Sequence, residues 1–395
     1  MTHVDEKLKQ WATPRQAELI DAINDFGSAR KAADAKGIDR RNFTYTLAAV
    51  KKKAALAGYS PEHDMTHEVP SPYVVKGTST LYGEDGEKKL QWVKTSLDRE
   101  RFEAVLKEYV EWLATDARGM APIVPEPATV NADLLSVYAI GDPHFGMFSW
   151  AAETGEDFDL KEAERITGRA IDRLVTCSPD SERALILELG DLLHADNSTN
   201  VTPAHHNQLD VDTRFAKIMQ VALRALKHAV SRALEKHKHV DVWIIGGNHD
   251  PHSSFAIAMC LASYYENEPR VKIDLSPSKF RYMKFGKVLI GSHHGDGLKM
   301  ENLQGIMAHD REEDWSSTKY RYWYLGDIHH LTRKEFPGCV AETFRTLAAR
   351  DAYHAGKGYR SGRDMQLIVH NQHFGEVERH RADVAMLAST DTLTK

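Results

Sequence analysis

The stretch Leu134-Leu-Ser-Val-Tyr-Ala-Ile140, followed at once by Gly141-Asp142-Pro-His144, decides the fold of this chain. An apolar run of strand length ends here in a loop that carries a carboxylate and an imidazole one residue apart. In α/β proteins, ligand sites form outside the carboxyl ends of the strands. The stretch therefore predicts the start of a metal site, with Asp142 and His144 as its first two ligands.

Four later segments repeat this pattern of an apolar strand followed by a loop rich in ligand-type side chains. They are Ala184–His194, Val240–Asp250, Val288–Gly297 and Tyr322–His330. In this order the motifs resemble those of the calcineurin-like metallophosphoesterases, which run Asp-x-His, Gly-Asp, Gly-Asn-His-Asp/Glu, His-Gly and Gly-His-x-His. The resemblance covers roughly residues 130 to 375. It rests on several ordered motifs, each of which would be weak alone.

The fold class predicted for this part of the chain is α/β. Helical patterns alternate with the strands, at Lys161–Thr176, Thr213–Lys236 and Phe255–Glu266. Such alternation favours a layered architecture with loops at the strand ends forming the site. The resemblance implies the specific form, which is two stacked mixed β-sheets flanked by helices.

The resemblance also implies two divalent metal ions that share one carboxylate. By matching positions, the ligands of one ion are Asp142, His144, Asp191 and His329, and those of the other are Asp191, Asn248, His294 and Asp327. Asp191 is the predicted bridge. Oxygen and imidazole ligands suit Mn²⁺, with Mg²⁺ or Fe²⁺ as alternatives.

Two details of the ligand set need a choice. His293 and His294 are adjacent on a strand and face opposite ways, and the family's ligand immediately precedes glycine, so we favour His294. Asp327 stands where the family usually has histidine, which either changes the metal preference or abolishes activity. His330 should point away from the site, because it directly follows His329.

Three residues are predicted to act on the substrate. His249 matches the family's catalytic histidine, and the adjacent Asp250 would orient its ring or raise its pKa. His194, in Gly190-Asp-Leu-Leu-His194, is similar to the corresponding histidine of the double-strand-break repair nucleases of this superfamily. The alternative is that His194 merely starts a helix or packs beneath the loop.

The amino-terminal residues predict three helices. Thr13 caps a helix from Pro14 to Phe26, Ser28 caps a second one that ends at Ala35 or Lys36, and Asp39 caps a third. A glycine turn between the last two helices is typical of a helix-turn-helix domain. The third helix would then present to DNA the residues Arg40, Arg41, Asn42, Thr44, Lys51, Lys52 and Lys53. A small helical bundle for assembly or protein contact is the alternative.

Charge separates this segment from the rest. Residues 1–60 hold eleven Lys or Arg and seven Asp or Glu, so their formal charge is +4. The whole chain has a net charge of −6, and the remaining residues therefore carry −10. A basic segment ahead of an acidic body suggests that the former meets a polyanion. We predict a helix-turn-helix domain at 1–60, a β-hairpin, a helix from Leu97 to Ala117 and a linker at 61–128, and a metallophosphoesterase domain at 129–395.

These observations support three hypotheses. The leading one is a metal-dependent DNA nuclease, similar to phage or prophage metallophosphoesterases that carry a helix-turn-helix segment. The others are a small-molecule phosphodiesterase or phosphatase, and a DNA-binding assembly protein whose metal site has decayed at Asp327. The sequence does not choose exonuclease from endonuclease, nor monomer from homo-oligomer.

Composition narrows the setting. We expect a cytoplasmic protein with no membrane partner, because no apolar run approaches a membrane span and the start lacks the apolar core of a signal peptide. Cys177, Cys260 and Cys339 are predicted to be buried and unpaired. His237 is expected on a solvated helix end beside His228 and His239.

Overall fold

The computed structural model describes residues 4–69, 73–83, 85, 87–97, 118–203 and 206–389, without the side chains of Arg40, Tyr73, Ser96 and Leu97. The chain divides into two compact units, Met1–Tyr109 and Val110–Lys395. The helix predicted from Leu97 to Ala117 lies, beyond Leu97, outside the described residues. The predicted domain boundaries stay predictions.

The first unit contains the three predicted helices, α1 (Pro14–Phe26), α2 (Ala29–Lys36) and α3 (Arg40–Leu56), preceded by a short 3-10 helix (Glu6–Trp11). The side chains of Thr13, Ser28 and Asp39 cap them by accepting hydrogen bonds from backbone N–H groups, as expected. Gly37 ends α2 with a φ of 64°, a conformation that favours glycine. The helices pack around Ile20, Ile23, Ala33, Phe43 and Val50.

A two-stranded antiparallel ribbon completes the described part of the first unit. It consists of β1 (Tyr73–Tyr82) and β2 (Lys88–Leu97), with Leu81 opposite Leu90. This is the hairpin that the alternating pattern predicts.

The second unit is built on two mixed β-sheets. Its strands are β3 (Asn131–Ile140), β4 (Ser181–Glu188), β5 (His239–Ile244), β6 (Val271–Ile273), β7 (Arg281–Phe285), β8 (Val288–His293), β9 (Tyr320–Leu325), β10 (Thr332–Phe336), β11 (Cys339–Thr343), β12 (Asp364–Asn371) and β13 (Gly375–Asp383). The six-stranded sheet has the order β13-β12-β3-β4-β5-β6, and the five-stranded sheet has the order β10-β11-β9-β8-β7. In the five-stranded sheet the two central pairs are parallel and the pair at each edge is antiparallel. In the six-stranded sheet the pairs from β3 to β6 are parallel, and the antiparallel pairs lie on the side of β12 and β13.

An apolar core joins the two sheets face to face. Leu135, Val137 and Leu187 of the six-stranded sheet pack with Ile290 and Tyr324 of the five-stranded sheet. Helices cover the outer faces, and their bounds are α4 (Ala151–Thr154), α5 (Leu160–Cys177), α6 (Phe215–Leu234), α7 (Ser253–Tyr264), α8 (Met300–Asp310), α9 (Glu312–Ser317), α10 (Ala352–Gly356) and α11 (Val384–Ser389). The predicted α/β class with two stacked mixed sheets flanked by helices is confirmed.

Two predictions about single residues are wrong. Cys177 is exposed at the end of α5, although Cys260 and Cys339 are buried. His237 is fully buried rather than solvated, because it follows α6 into the interior, where its Nε2 lies 2.7 Å from the Tyr138 hydroxyl. Among the described residues, no helix is both long and apolar enough to cross a membrane.

Candidate metal centre

The ligand-type residues predicted from separate motifs come together at one edge of the two sheets. Each follows the carboxyl end of a strand, where backbone pairing stops and the loop is free to turn. The loops after β3, β4 and β5 bring Asp142, His144, Asp191 and Asn248, and the loops after β8 and β9 bring His294, Asp327 and His329. The site therefore draws on both sheets.

One group of side chains surrounds Asp142, which is fully buried. His329 Nε2 lies 3.6 Å from Asp142 Oδ1, and His144 Nε2 lies 3.1 Å from His329 Nε2. Each of these three residues offers one potential ligand atom, and the three atoms lie within 4.8 Å of one another. These are three of the four residues predicted to hold one ion.

A second group surrounds His294. Its Nε2 lies 3.4 Å from Asp191 Oδ2, 3.0 Å from Asn248 Oδ1 and 3.8 Å from Asp327 Oδ1. Its Nδ1 donates a hydrogen bond to the Leu189 carbonyl at 2.8 Å. This bond orients the ring so that Nε2 faces the other ligand-type residues. These are the four residues predicted to hold the other ion.

Asp191 lies between the two groups. Its Oδ2 is 3.4 Å from His294 Nε2 on one side and 4.0 Å from His144 Nε2 on the other. Its Oδ1 accepts a hydrogen bond from the His249 backbone N–H at 2.8 Å. One carboxylate is thus held where it can serve two neighbouring cations.

The donor set fits divalent cations. Asp142 Oδ2 is buried and has no hydrogen-bond partner among the described residues, which is costly for a carboxylate unless a cation compensates it. Oxygen and imidazole donors of this kind suit hard or borderline divalent ions. Neither buried cysteine lines the cavity, so a thiolate site is not what these residues provide.

Backbone strain is concentrated at the same residues. Non-glycine residues with positive φ include Asp142 (41°), His144 (46°), Asp191 (54°), Asp327 (69°) and His329 (52°). Side chains other than glycine adopt this region at a cost, and such strain tends to occur at functional sites. The loops are therefore bent to direct side chains inward rather than relaxed around them.

In each of the two pairs of neighbouring histidines, one ring lies inside the cluster and the other lies outside it. His293 packs against Phe280, with ring centroids 4.7 Å apart, and its Nδ1 accepts from the Gly295 N–H. His330 Nδ1 donates to the Ile328 carbonyl of its own loop. His294 and His329 are the members of each pair that enter the cluster.

Of the three residues predicted to act on the substrate, His249 and His194 line the cavity and Asp250 does not. The ring of His249 stacks on that of His194, with centroids 5.2 Å apart, and both line the cavity with His144. His249 Nδ1 donates to the His194 carbonyl at 2.8 Å. That carbonyl orients the ring, a role that the sequence suggests for Asp250.

Asp250 holds the loops instead. Its buried carboxylate accepts hydrogen bonds from the Leu193 N–H at 2.9 Å and the Gly247 N–H at 3.3 Å. Burial and the nearby Asp191 raise the pKa of Asp250 well above its usual range. The acid joins the loop after β4 to the loop after β5.

Burial dominates the electrostatics of two imidazoles, those of His144 and His194. It holds the pKa of His144 well below the usual range, helped by His249 and His329, and it lowers the pKa of His194 to about 3. Neutral imidazole is the form that binds metal. Burial also raises the pKa of Asp327.

The pair Asp191 and His294 behaves differently. Burial opposes ionisation of both, but their attraction outweighs it, so the pKa of Asp191 falls and that of His294 rises well above its usual range. The pKa of His329 is likewise raised, because its hydrogen bond and attraction to Asp142 outweigh the effect of burial. The carboxylates thus attract positive charge to both groups.

A cavity of about 570 Å³ opens above the cluster, and five cluster residues line it, namely His144, Asp191, Asn248, Asp327 and His329. One wall comes from residues 345–363, which the motif comparison does not include. Their signal in the sequence is local: Asp351-Ala-Tyr-His354 is the spacing of a helix cap, and Asp351 accepts from the His354 N–H at 2.7 Å at the start of α10.

The candidate DNA-binding residues lie on α3 of the first unit. Arg41, Asn42, Thr44, Lys52 and Lys53 are exposed, whereas Lys51 is half-buried and pairs with Glu62. The side chain of Arg40 lies outside the described ones.

No protein-family model and no curated protein matches this chain. Among solved structures it is similar to a predicted phosphoesterase from Streptococcus pneumoniae, with 8% identity over 64% of this chain and 99% of that chain and a TM-score of 0.26. It is also similar to wild-type Vps29 complexed with zinc from Entamoeba histolytica, with 15% identity over 63% of this chain and 98% of that chain and a TM-score of 0.26. Any assignment of function to this chain therefore depends on its own residues.

Gly247 provides a test of the position of the Asp191 carboxylate in which no ligand-type residue is itself substituted. A Cβ at this position would lie 2.0 Å from Asp191 Oδ1 and 2.3 Å from the Asp191 backbone nitrogen. We expect Gly247→Ala to displace Asp191 and lower the manganese content measured by elemental analysis after metal loading. Gly168→Ala, where a Cβ would meet nothing within 4 Å, is the matched control. Equal metal content in the two variants would contradict the placement of Asp191.

Proposed function

We propose that the second unit is a metal-dependent phosphodiester hydrolase and that its substrate is DNA. The observation that carries the proposal is the position of Asp191 between His144 and His294, beside the unpaired carboxylate oxygen of Asp142. A shared carboxylate flanked by imidazoles is the arrangement that a two-metal hydrolytic centre requires.

The residues that would hold the ions are those predicted from the motifs. Asp142, His144, Asp191 and His329 would bind one cation, and Asp191, Asn248, His294 and Asp327 the other. Two such cations supply charge stabilisation for the phosphate and lower the pKa of water, so that a nucleophile forms near neutral pH. We take Mn²⁺ as the test ion because the donors are mixed oxygen and nitrogen.

Asp327 supports a retained rather than a decayed site. Its carboxylate lies 3.8 Å from His294 Nε2, and its backbone N–H donates to Asp142 Oδ1 at 2.9 Å. These two contacts support the proposal that Asp327 is a ligand and that its backbone orients Asp142. A carboxylate there is a harder ligand than the histidine usual in the family.

His249 and His194 would act on the phosphate. The hydrogen bond from His249 Nδ1 to the His194 carbonyl fixes the ring and leaves Nε2 for a phosphate oxygen in the cavity. His194 is 1% exposed, and its Nδ1 lies 3.3 Å from His144 Nδ1, so it is held between the ligand His144 and the catalytic His249. Its role would be to aid departure of the leaving oxygen.

DNA is favoured over a small phosphodiester by the first unit. Its third helix exposes Arg41, Asn42, Lys52 and Lys53 in a segment of net positive charge. Cations along one helix are suited to phosphate contact, and the preceding glycine turn matches a helix-turn-helix motif. A phage or prophage origin of this combination stays a prediction.

Cleavage of DNA is the direct test. With manganese present, we expect the full chain to cut linear, nicked or single-stranded DNA, and a chelator to stop the reaction. Asp191→Asn should lose both ions, because the carboxylate serves each of them. Its cleavage rate should fall by more than the roughly 10- to 100-fold that loss of an outer-shell partner costs. Asp172→Asn, which changes a surface carboxylate paired with Arg232, is the control.

Two outcomes would count against this proposal. Hydrolysis of a chromogenic phosphodiester without cleavage of any DNA would identify a small-molecule phosphodiesterase. Salt-sensitive DNA binding without bound metal or hydrolysis would identify a binding protein with a decayed site.

His194→Ala separates catalysis from metal binding. We expect metal content and DNA affinity to hold, while turnover on DNA falls about 10²-fold or more, the scale of one acid-base group. The measurement combines elemental analysis, binding under chelation and single-turnover cleavage. Loss of metal together with activity would instead make His194 a ligand, since its ring is within reach of His144 and His249.

Lys52 and Lys53 test the first unit. Removing two phosphate contacts should reduce the slope of log affinity against log salt by about 1.8, or roughly 0.9 per contact on duplex DNA. The double variant Lys52→Ala, Lys53→Ala is compared with Lys51→Ala, because Lys51 is already paired with Glu62. Identical salt slopes in the two proteins would remove α3 as the phosphate-binding element.

A further inference from the structure

Residues 345–363, which we call the rim segment, form one wall of the cavity above the candidate metal centre. Side chains of this segment that line the cavity include Arg350, Asp351, Tyr353, His354, Tyr359 and Arg363. None of them belongs to the strand-end motifs. The rim segment is therefore an addition to the hydrolytic site whose purpose the metal chemistry does not explain.

Aromatic rings lead outward from the metal centre along the rim segment. The ring of His354 stacks on that of the predicted ligand His329, with centroids 5.0 Å apart and planes 28° from parallel. Asp351 fixes the ring by accepting from His354 Nδ1 at 2.6 Å. Tyr353 and Tyr359 flank His354 edge to face, at 5.5 and 5.1 Å. The rings form a continuous path from a ligand to the surface.

The two tyrosines at the outer end of this path are exposed. Tyr353 is 65% exposed and Tyr359 is 43% exposed. Neither hydroxyl has a hydrogen-bond partner among the described residues. The two rings are therefore not held in place by hydrogen bonds from their hydroxyls to the protein interior. Exposed aromatic faces at the mouth of a cavity are suited to stacking with a flat ligand.

The charge of the rim segment indicates what kind of ligand this is. The segment holds five Lys or Arg and one Asp, so its formal charge is +4 (five minus one) in a chain of −6. Arg345 pairs with Asp364, and Arg363 pairs with Glu156. Arg350, Lys357 and Arg360 have no carboxylate partner in the described part of the chain. Unneutralised cations interleaved with aromatic rings are typical of surfaces that bind single-stranded nucleic acid.

We propose that the rim segment is a subsite for an unpaired nucleobase next to the phosphate under attack. It rests on the proposed phosphodiester hydrolysis and narrows its substrate to nucleic acid that is single-stranded at the cleavage site. In a duplex the faces of the bases are occupied by their neighbours, whereas an unpaired base offers a free face to Tyr353 or Tyr359. The cations would then contact the adjoining phosphates.

The test compares two single strands of equal charge. Oligothymidylate and an abasic oligomer of the same length are bound to the full chain under chelation, and affinity is followed by fluorescence anisotropy. We expect wild-type protein to prefer oligothymidylate by about tenfold, the scale of stacking on one aromatic side chain. At least one of the variants Tyr353→Ala and Tyr359→Ala should lower that ratio to near one, and the change of the same tyrosine to phenylalanine should keep it because the ring remains.

Phe374→Ala is the matched control, since Phe374 is an aromatic residue 67% exposed in the same unit that does not line the cavity. Its ratio should equal that of the wild type. If the enzyme cleaves DNA but Tyr353→Ala and Tyr359→Ala both keep the thymidine preference, the subsite is overturned and hydrolysis stands. If the preference is lost in either variant but no phosphodiester is cleaved, the subsite stands and the hydrolase is overturned.

Discussion

The contact on which the site depends is the placement of the Asp191 carboxylate between His144 and His294. It requires an unfavourable backbone at Asp191 itself, with a φ of 54°, and space that glycine leaves on both sides. A Cβ on Gly190 would lie 2.2 Å from His294 Nδ1, and one on Gly247 would lie 2.0 Å from Asp191 Oδ1. Gly247 is thus needed for close approach, whereas Gly190 is needed both for close approach and for its φ of 104°, a conformation that favours glycine.

The same contact explains why both sheets are necessary. Asp142 and Asp191 come from the six-stranded sheet, whereas His294 and His329 come from the five-stranded sheet. The carboxylates repel one another and are buried, and the histidines that attract them, His294 beside Asp191 and His329 beside Asp142, come from the other sheet, so packing of the two sheets is what brings the opposite charges together. The packing of the two sheets is therefore required to form the site.

Sequence predicted what is local and missed what depends on distant packing. Each strand and the loop that follows it are adjacent in the chain, so Asp142, Asp191 and His294 could be assigned to one edge. His237 could not, because its burial depends on Tyr138, about a hundred residues away in the chain. The contribution of the rim segment to the site was not predicted for a related reason. Asp351 and His354 follow a loop and not a strand, and only the fold brings His354 to His329.

Asp250 shows how proximity in sequence can mislead about chemistry. It directly follows His249, yet the ring of His249 is oriented by the His194 carbonyl, while the Asp250 carboxylate accepts from the Leu193 and Gly247 N–H groups. Successive side chains leave the backbone in different directions, so an acid beside a catalytic histidine need not touch it. Asp250 therefore ties the loop that carries Asp191 to the loop that carries Asn248. Its carboxylate positions the backbone of the two loops, whereas the hydrogen bond that orients the ring of His249 goes to the His194 carbonyl.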